Sequence, residues 1–151
     1  MVVLQDTREK PEHKQYLYNY FAKNNIKIVR QVLNVGDYML PNGKTSIDLK
    51  GGGLNELASD LMADYFALNK KYRKCLEHDI HLVVLIEENF FKEIKDVVKW
   101  RGKYGKISGK RLAEKMHRIE LCYGVEFVFC KKSQTAQKII ELLKKGESNE
   151  N

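Results

Sequence analysis

Val35 to Lys50 reads VGDYMLPNGKTSIDLK, two runs of strand-forming residues joined through Pro41-Asn42-Gly43. Asn-Gly between such runs is the strongest short-range signal for a tight hairpin. With Asn42 and Gly43 as the central turn residues, Asp37 faces Asp48 across the ladder, where opposed Cβ atoms lie about 4.5–5.5 Å apart and like charges repel. Strand alternation turns Lys50 to the face of Asp48 and Leu49 to the other. Two carboxylates and an ammonium therefore converge on one patch.

Outward from this hairpin the chain alternates strand and helix. Val2 to Asp6 reads as a buried strand, and the segment opened by Pro11 carries a helical stripe of Tyr16, Leu17, Tyr20 and Phe21 that stops at Asn24-Asn25. Ile26 to Leu33 has the β-branched content of a second strand. Beyond Gly51-Gly52-Gly53, Leu54, Leu57, Leu61, Tyr65 and Leu68 predict one long helix to about Glu77. His81 to Glu87, with Leu82-Val83-Val84-Leu85-Ile86 at its centre, predicts a strand buried on both faces. Helices are expected at about 90–100 and 108–123, a last strand at Val125 to Cys130, and a last helix at Ser133 to Lys145. The pattern is a three-layer α/β domain over 1–145, a central mixed sheet with flanking helices, followed by a polar, disordered tail at 146–151.

The 151 residues suit one domain, and 43% hydrophobic with 31% charged residues exclude disordered and fibrous classes. No apolar run approaches the roughly 20 residues of a membrane span, and Met1 leads into Val2-Val3-Leu4 without a basic leader, so a soluble, cytoplasmic protein with no membrane contact is expected. The three cysteines, Cys75, Cys122 and Cys130, show no CxxC spacing and read as small buried hydrophobes in a reducing compartment. Net charge is +7, and Lys92 to Arg118, with 10 Lys/Arg against 3 Asp/Glu, supplies all of it. Such a block is either a polyanion-binding face or a solvated lysine-rich surface. Lys70, Lys71 and Arg73 either extend that face or solvate the long helix.

A hard divalent cation relieves the Asp37–Asp48 repulsion directly, because Mg²⁺ takes one or two carboxylates, keeps several waters and uses substrate phosphate for the rest. With a lysine beside it to orient water, this set of parts suits phosphodiester hydrolysis. The plainer alternative is a solvated surface cluster in which Lys50 offsets two acids. Other motifs carry less. Gly36 and Gly43-Lys44-Thr45 lack phosphate-loop spacing, His78 and His81 span a helix-to-strand loop, and Trp100 fits the core better than a base-stacking platform. Glu87 ends a buried strand near the expected site.

Five segments together resemble the nuclease domain of the XPF-type structure-specific endonucleases, within the PD-(D/E)xK, restriction-endonuclease-like superfamily. They are VVLQDTRE at Val2 to Glu9, VGDYML at Val35 to Leu40, IDLK at Ile47 to Lys50, LVVLIEE at Leu82 to Glu88, and ISGKRL…YGVEFVFC from Ile107 to Cys130. The resemblance implies a restriction-endonuclease-like fold and a site in which Asp6, Asp37 and Asp48 bind Mg²⁺ or Mn²⁺ while Asp37, Asp48 and Lys50 carry catalysis. Glu9 is a further acid of the same pattern. Two positions depart from it: Asp48-Leu49-Lys50 stands where the family reads Glu-Arg-Lys, and Gly51-Gly52-Gly53-Leu54 lacks the acid that usually follows the lysine.

The implied function is cleavage of branched DNA (flap, fork or Holliday junction) to leave a 5′-phosphate, in recombination, repair or replication. A homodimer is implied, and the short form is similar to those of bacteria or their phages. The family often adds a tandem helix-hairpin-helix domain; here DNA contact is expected from the domain itself, through Lys99, Arg101, Lys103, Lys106, Lys110 and Arg111, or from a protein partner. The alternatives are a non-catalytic DNA-binding subunit and a sequence-specific restriction-type endonuclease.

Overall fold

A computed structural model describes residues 1–63, 65–103 and 107–149. In chain order they form β1 (Val2–Asp6), α1 (Gln15–Lys23), β2 (Lys27–Gln31), β3 (Tyr38–Met39), β4 (Thr45–Lys50), α2 (Gly53–Ala63), α3 (Tyr65–Glu77), β5 (His81–Glu87), α4 (Ile94–Val97), α5 (Gly109–Tyr123), β6 (Glu126–Cys130) and α6 (Thr135–Asn149). The six strands make one sheet in the order β2-β1-β3-β4-β5-β6. β1–β2, β4–β5 and β5–β6 are parallel, whereas β3 runs antiparallel to both β1 and β4. The expected three-layer α/β architecture with a mixed sheet is present.

Strand β5 shows why the layers form. Its aliphatic residues alternate between two cores: Leu82, Val84 and Ile86 pack with Leu54, Leu57 and Leu61 of α2 and Leu112 and Met116 of α5, while Val83 and Leu85 pack with Leu17 and Phe21 of α1 and Ile139 and Leu143 of α6. A continuous apolar run is what a strand covered on both faces requires. Trp100 is buried, as expected, and so are Cys75 and Cys130. Cys122 is exposed, because its position on α5 turns outward from the stripe of Leu112, Met116 and Ile119.

Other departures have local causes. The hairpin keeps the expected register, with Tyr38 opposite Ile47 and Met39 opposite Ser46, but the turn is centred one residue earlier. The Gly43 amide donates to the Leu40 carbonyl at 2.9 Å and Asn42 takes φ +60°, so Pro41-Asn42 are the central pair. Proline at the first central position and a positive φ at the second are what a type II turn uses. The long helix expected to 77 is two helices, α2 and α3, whose apolar positions face one core and so read as one stripe. The helix expected at 90–100 shrinks to α4, whose first turn is capped by Asp96 accepting from the Glu93 amide. Helix α6 runs through Asn149 rather than ending at Lys145, with Gly146 seated so closely on Thr45 that a Cβ would lie 2.1 Å from its hydroxyl. Among the described residues no helix is long and apolar enough to cross a membrane.

Candidate active site

Strand β4 is buried along its whole length and delivers Asp48 and Lys50 to one face, while Ile47 and Leu49 enter the core beneath α1 and α6. Asp37 precedes β3. Its amide donates to the Ile47 carbonyl at 2.7 Å, and its Oδ2 accepts from the Leu49 amide at 2.8 Å, so the loop is fastened to β4 at both backbone and side chain. Gly36 makes this close approach possible: it takes φ +79°, and a Cβ there would lie 2.0 Å from Ser46 Oγ.

The three expected catalytic residues therefore come together. The Asp37 carboxyl lies within hydrogen-bonding reach of Glu9 and Asp48, and burial, then the charges of Asp48 and Glu9, push it up to about 9. Burial alone would also raise Asp48, but Lys71 and Lys50 outweigh it and hold that carboxylate below its usual range. The Lys50 ammonium donates to Asp60 Oδ2 at 2.6 Å and stands 3.6 Å from Asp48 Oδ2. Although burial opposes its charge, Asp48, Asp60 and Glu56 move Lys50 above the ordinary lysine range, so it is a fixed cation at neutral pH. Lys71 of α3 forms a short ion pair with Asp48 Oδ2.

Asp6 enters the site through its backbone. Its amide donates to the Asp37 carbonyl at 2.8 Å, while its carboxylate accepts from Arg8 Nε at 2.7 Å and the Leu33 amide at 3.1 Å. Glu9 is ion-paired with Lys14. Glu87 accepts from the Tyr16 hydroxyl at 2.8 Å and the Thr135 hydroxyl at 2.8 Å, tying α1 and α6 to the end of β5. Among the described residues no three His, Cys, Asp or Glu side chains are arranged as a metal cage. Asp37 and Asp48 nevertheless fit a hard cation: they are two crowded carboxylates, with burial and then the Asp48 charge holding a proton on Asp37, a donor set suited to an ion that retains much of its water.

Sequence reasoning missed Glu56 and Asp60, which α2 places one turn apart beside Lys50; a buried Glu56 oxygen has no hydrogen-bond partner. The signal was their i, i+4 spacing directly after the D-x-K segment. One of the three glycines also finds its reason. Gly53 takes φ +69°, and a Cβ would lie 2.3 Å from Glu88 Oε2 and 2.8 Å from the Glu87 carbonyl, so the chain can turn into α2 with Glu88 accepting from the Leu54 amide at 2.7 Å.

Lys99, Arg101, Lys103, Lys110 and Arg111 are exposed on the segment from the end of α4 to the first turn of α5; Lys106 lies outside the described residues. The Lys103 amide donates to Asn55 Oδ1 at 3.2 Å, which fastens this segment to α2. Between them lies a cleft of about 690 Å³ that reaches from Lys103 and Trp100 to Gly52 and Glu56, beside Lys50. Lys103 of the basic segment thus shares a cleft with Glu56.

No protein-family model and no curated protein matches this chain. Solved structures do. The chain is similar to XPF from Aeropyrum pernix, with a TM-score of 0.69 and 17% identity over 95% of this chain and 64% of that one. It is likewise similar to XPF from Aeropyrum pernix in complex with DNA, with a TM-score of 0.68 and 18% identity over 98% of this chain and 66% of that one. This chain spans slightly less than two thirds of the length of either. It has the fold of these XPF chains.

Proposed function

We propose that this chain is a metal-dependent DNA endonuclease that hydrolyses phosphodiester bonds in branched DNA such as flaps, forks or junctions, in recombination, repair or replication. The observation that carries the reading is the convergence of Asp37, Asp48 and Lys50 at the end of β4, near a cleft that Glu56 and Lys103 line. The likeness to an XPF structure solved with DNA supports the choice of substrate.

Asp37 and Asp48 would hold Mg²⁺ or Mn²⁺, with Asp6 assisting by fixing the Asp37 backbone. When bound, the ion supplies charge neutralisation at the phosphoryl oxygens and a more acidic water. Lys50 stays charged, so it donates hydrogen bonds that orient the attacking water and stabilise the developing phosphoryl charge rather than taking a proton. Asp37 gives up its proton before it can act as a ligand. Lys99, Arg101, Lys103, Lys106, Lys110 and Arg111 contact phosphates and so favour DNA shape over sequence.

The test is cleavage of end-labelled duplex, single-strand, flap and four-way-junction DNA with Mg²⁺, Mn²⁺ or EDTA, using wild type, Asp37→Ala and Asp48→Ala. Metal-dependent cutting of branched substrates, lost in both variants, is expected. Salt-sensitive binding without cutting under any metal would overturn the catalytic reading in favour of a DNA-binding subunit.

A further inference from the structure

On the Asp48 side of the site a second cleft, about 380 Å³, is lined by Asp6, Asp37, Lys70, Lys71 and Lys74 with Arg8 beside them. Arg8 neutralises Asp6, and Lys71 reaches Asp48. Lys70 and Lys74 are exposed, and neither has an ion-pair partner among the described residues. The cleft is therefore cationic at its rim and acidic at its floor, which is the polarity a phosphate backbone over a metal-binding carboxylate site requires.

The charge pattern of α3 points the same way independently. Tyr65–Glu77 carries Lys70, Lys71, Arg73 and Lys74 against Glu77 alone. Lys70–Lys74, Lys70–Arg73 and Lys71–Lys74 fall at i, i+4 or i, i+3, where like charges destabilise a helix. Interspersed signs are the arrangement that avoids such repulsion on a solvated face. A single-sign row is relieved when an anion lies along it, and neighbouring positions on a helix face set the Cβ atoms that carry the cations about 6 Å apart.

The two clefts flank the catalytic pair: one begins at Gly52 and Glu56 beside Lys50, the other at Asp37 and Lys71 beside Asp48. We infer that Lys70, Lys71 and Lys74 form a second phosphate-binding wall, which grips the DNA backbone on the side of the scissile bond opposite the segment between α4 and α5. The inference rests on the nuclease reading and deepens it. Lys71 is the innermost member, held on Asp48 in the free protein and drawn to phosphate oxygens when DNA arrives.

The test is fluorescence anisotropy of a labelled flap DNA in EDTA over a series of NaCl concentrations. It compares wild type, Lys70→Gln/Lys74→Gln and Lys70→Arg/Lys74→Arg. The glutamine pair is expected to bind about tenfold more weakly and to lower the log–log salt slope by roughly 2, because two counterion-releasing contacts are lost. The arginine pair keeps both charges and the wild-type slope. Wild-type binding with an unchanged slope in the glutamine pair would overturn the wall alone. A wild-type protein that binds no DNA would overturn the wall and the nuclease reading together. Circular dichroism of the glutamine pair is expected to match wild type, since both side chains are exposed.

Discussion

The Lys50 ammonium sits 2.6 Å from Asp60 Oδ2 and 3.6 Å from Asp48 Oδ2, so an acid on α2 holds the lysine that β4 delivers. Asp60 is a positioning residue in this arrangement. Asp60→Asn is expected to lower the single-turnover cleavage rate about 10- to 100-fold while leaving DNA affinity unchanged, because misalignment near 1 Å has effects of that size. A rate equal to wild type would mean that Asp48 alone aligns Lys50.

Lys71 places a positive charge on Asp48, one of the two carboxylates assigned to the metal. In the absence of DNA, Lys71→Gln is expected to tighten Mn²⁺ binding about tenfold, since a competing cation at close range is removed. Isothermal titration of the metal alone measures this. Unchanged affinity would place the ion away from Asp48.

Asp37 rises to about 9 in the folded protein, while in the unfolded chain it titrates near 4. Between these values the folded state binds the extra proton, so the contribution of Asp37 to stability is fully present below the lower value and falls as pH rises toward the upper one. Melting temperatures in EDTA from about pH 5 to pH 9 should therefore decline more steeply for wild type than for Asp37→Asn. Mg²⁺ binding near neutral pH should release about one proton, visible as a buffer-dependent binding enthalpy.

The hairpin and the approach of Asp37 to Asp48 were legible because alternation and turn chemistry are local, and a turn shifted by one residue left the pairing of Tyr38 and Met39 with β4 intact. The layering was legible from the unbroken apolar run of β5. The contacts of α2 and α3 with Lys50 and Asp48 were not. Asp60 and Lys71 reach Lys50 and Asp48 only because the two helices pack against the same core at a break hidden within one continuous stripe. The outward turn of Cys122 escaped for a similar reason: helix phase decides it, not apolar neighbours in sequence.

Gly53 ties this tertiary placement back to one backbone angle. At φ +69° an alanine is strained, and its Cβ would meet the Glu87 carbonyl, which cannot rotate away as the Glu88 side chain can. Gly53→Ala is expected to destabilise the fold by about 2 kcal/mol, measured by urea unfolding. At Gly51 the nearest atom to a Cβ is Glu87 Oε1 at 3.5 Å and no positive φ is required, so Gly51→Ala should be neutral or slightly stabilising. If relief of the strain in Gly53→Ala rotates the start of α2, Asp60 moves away from Lys50, and cleavage measured below the unfolding transition should fall as it does in Asp60→Asn. Equal stability of the two alanine variants would show that the left-handed turn does not set the position of α2.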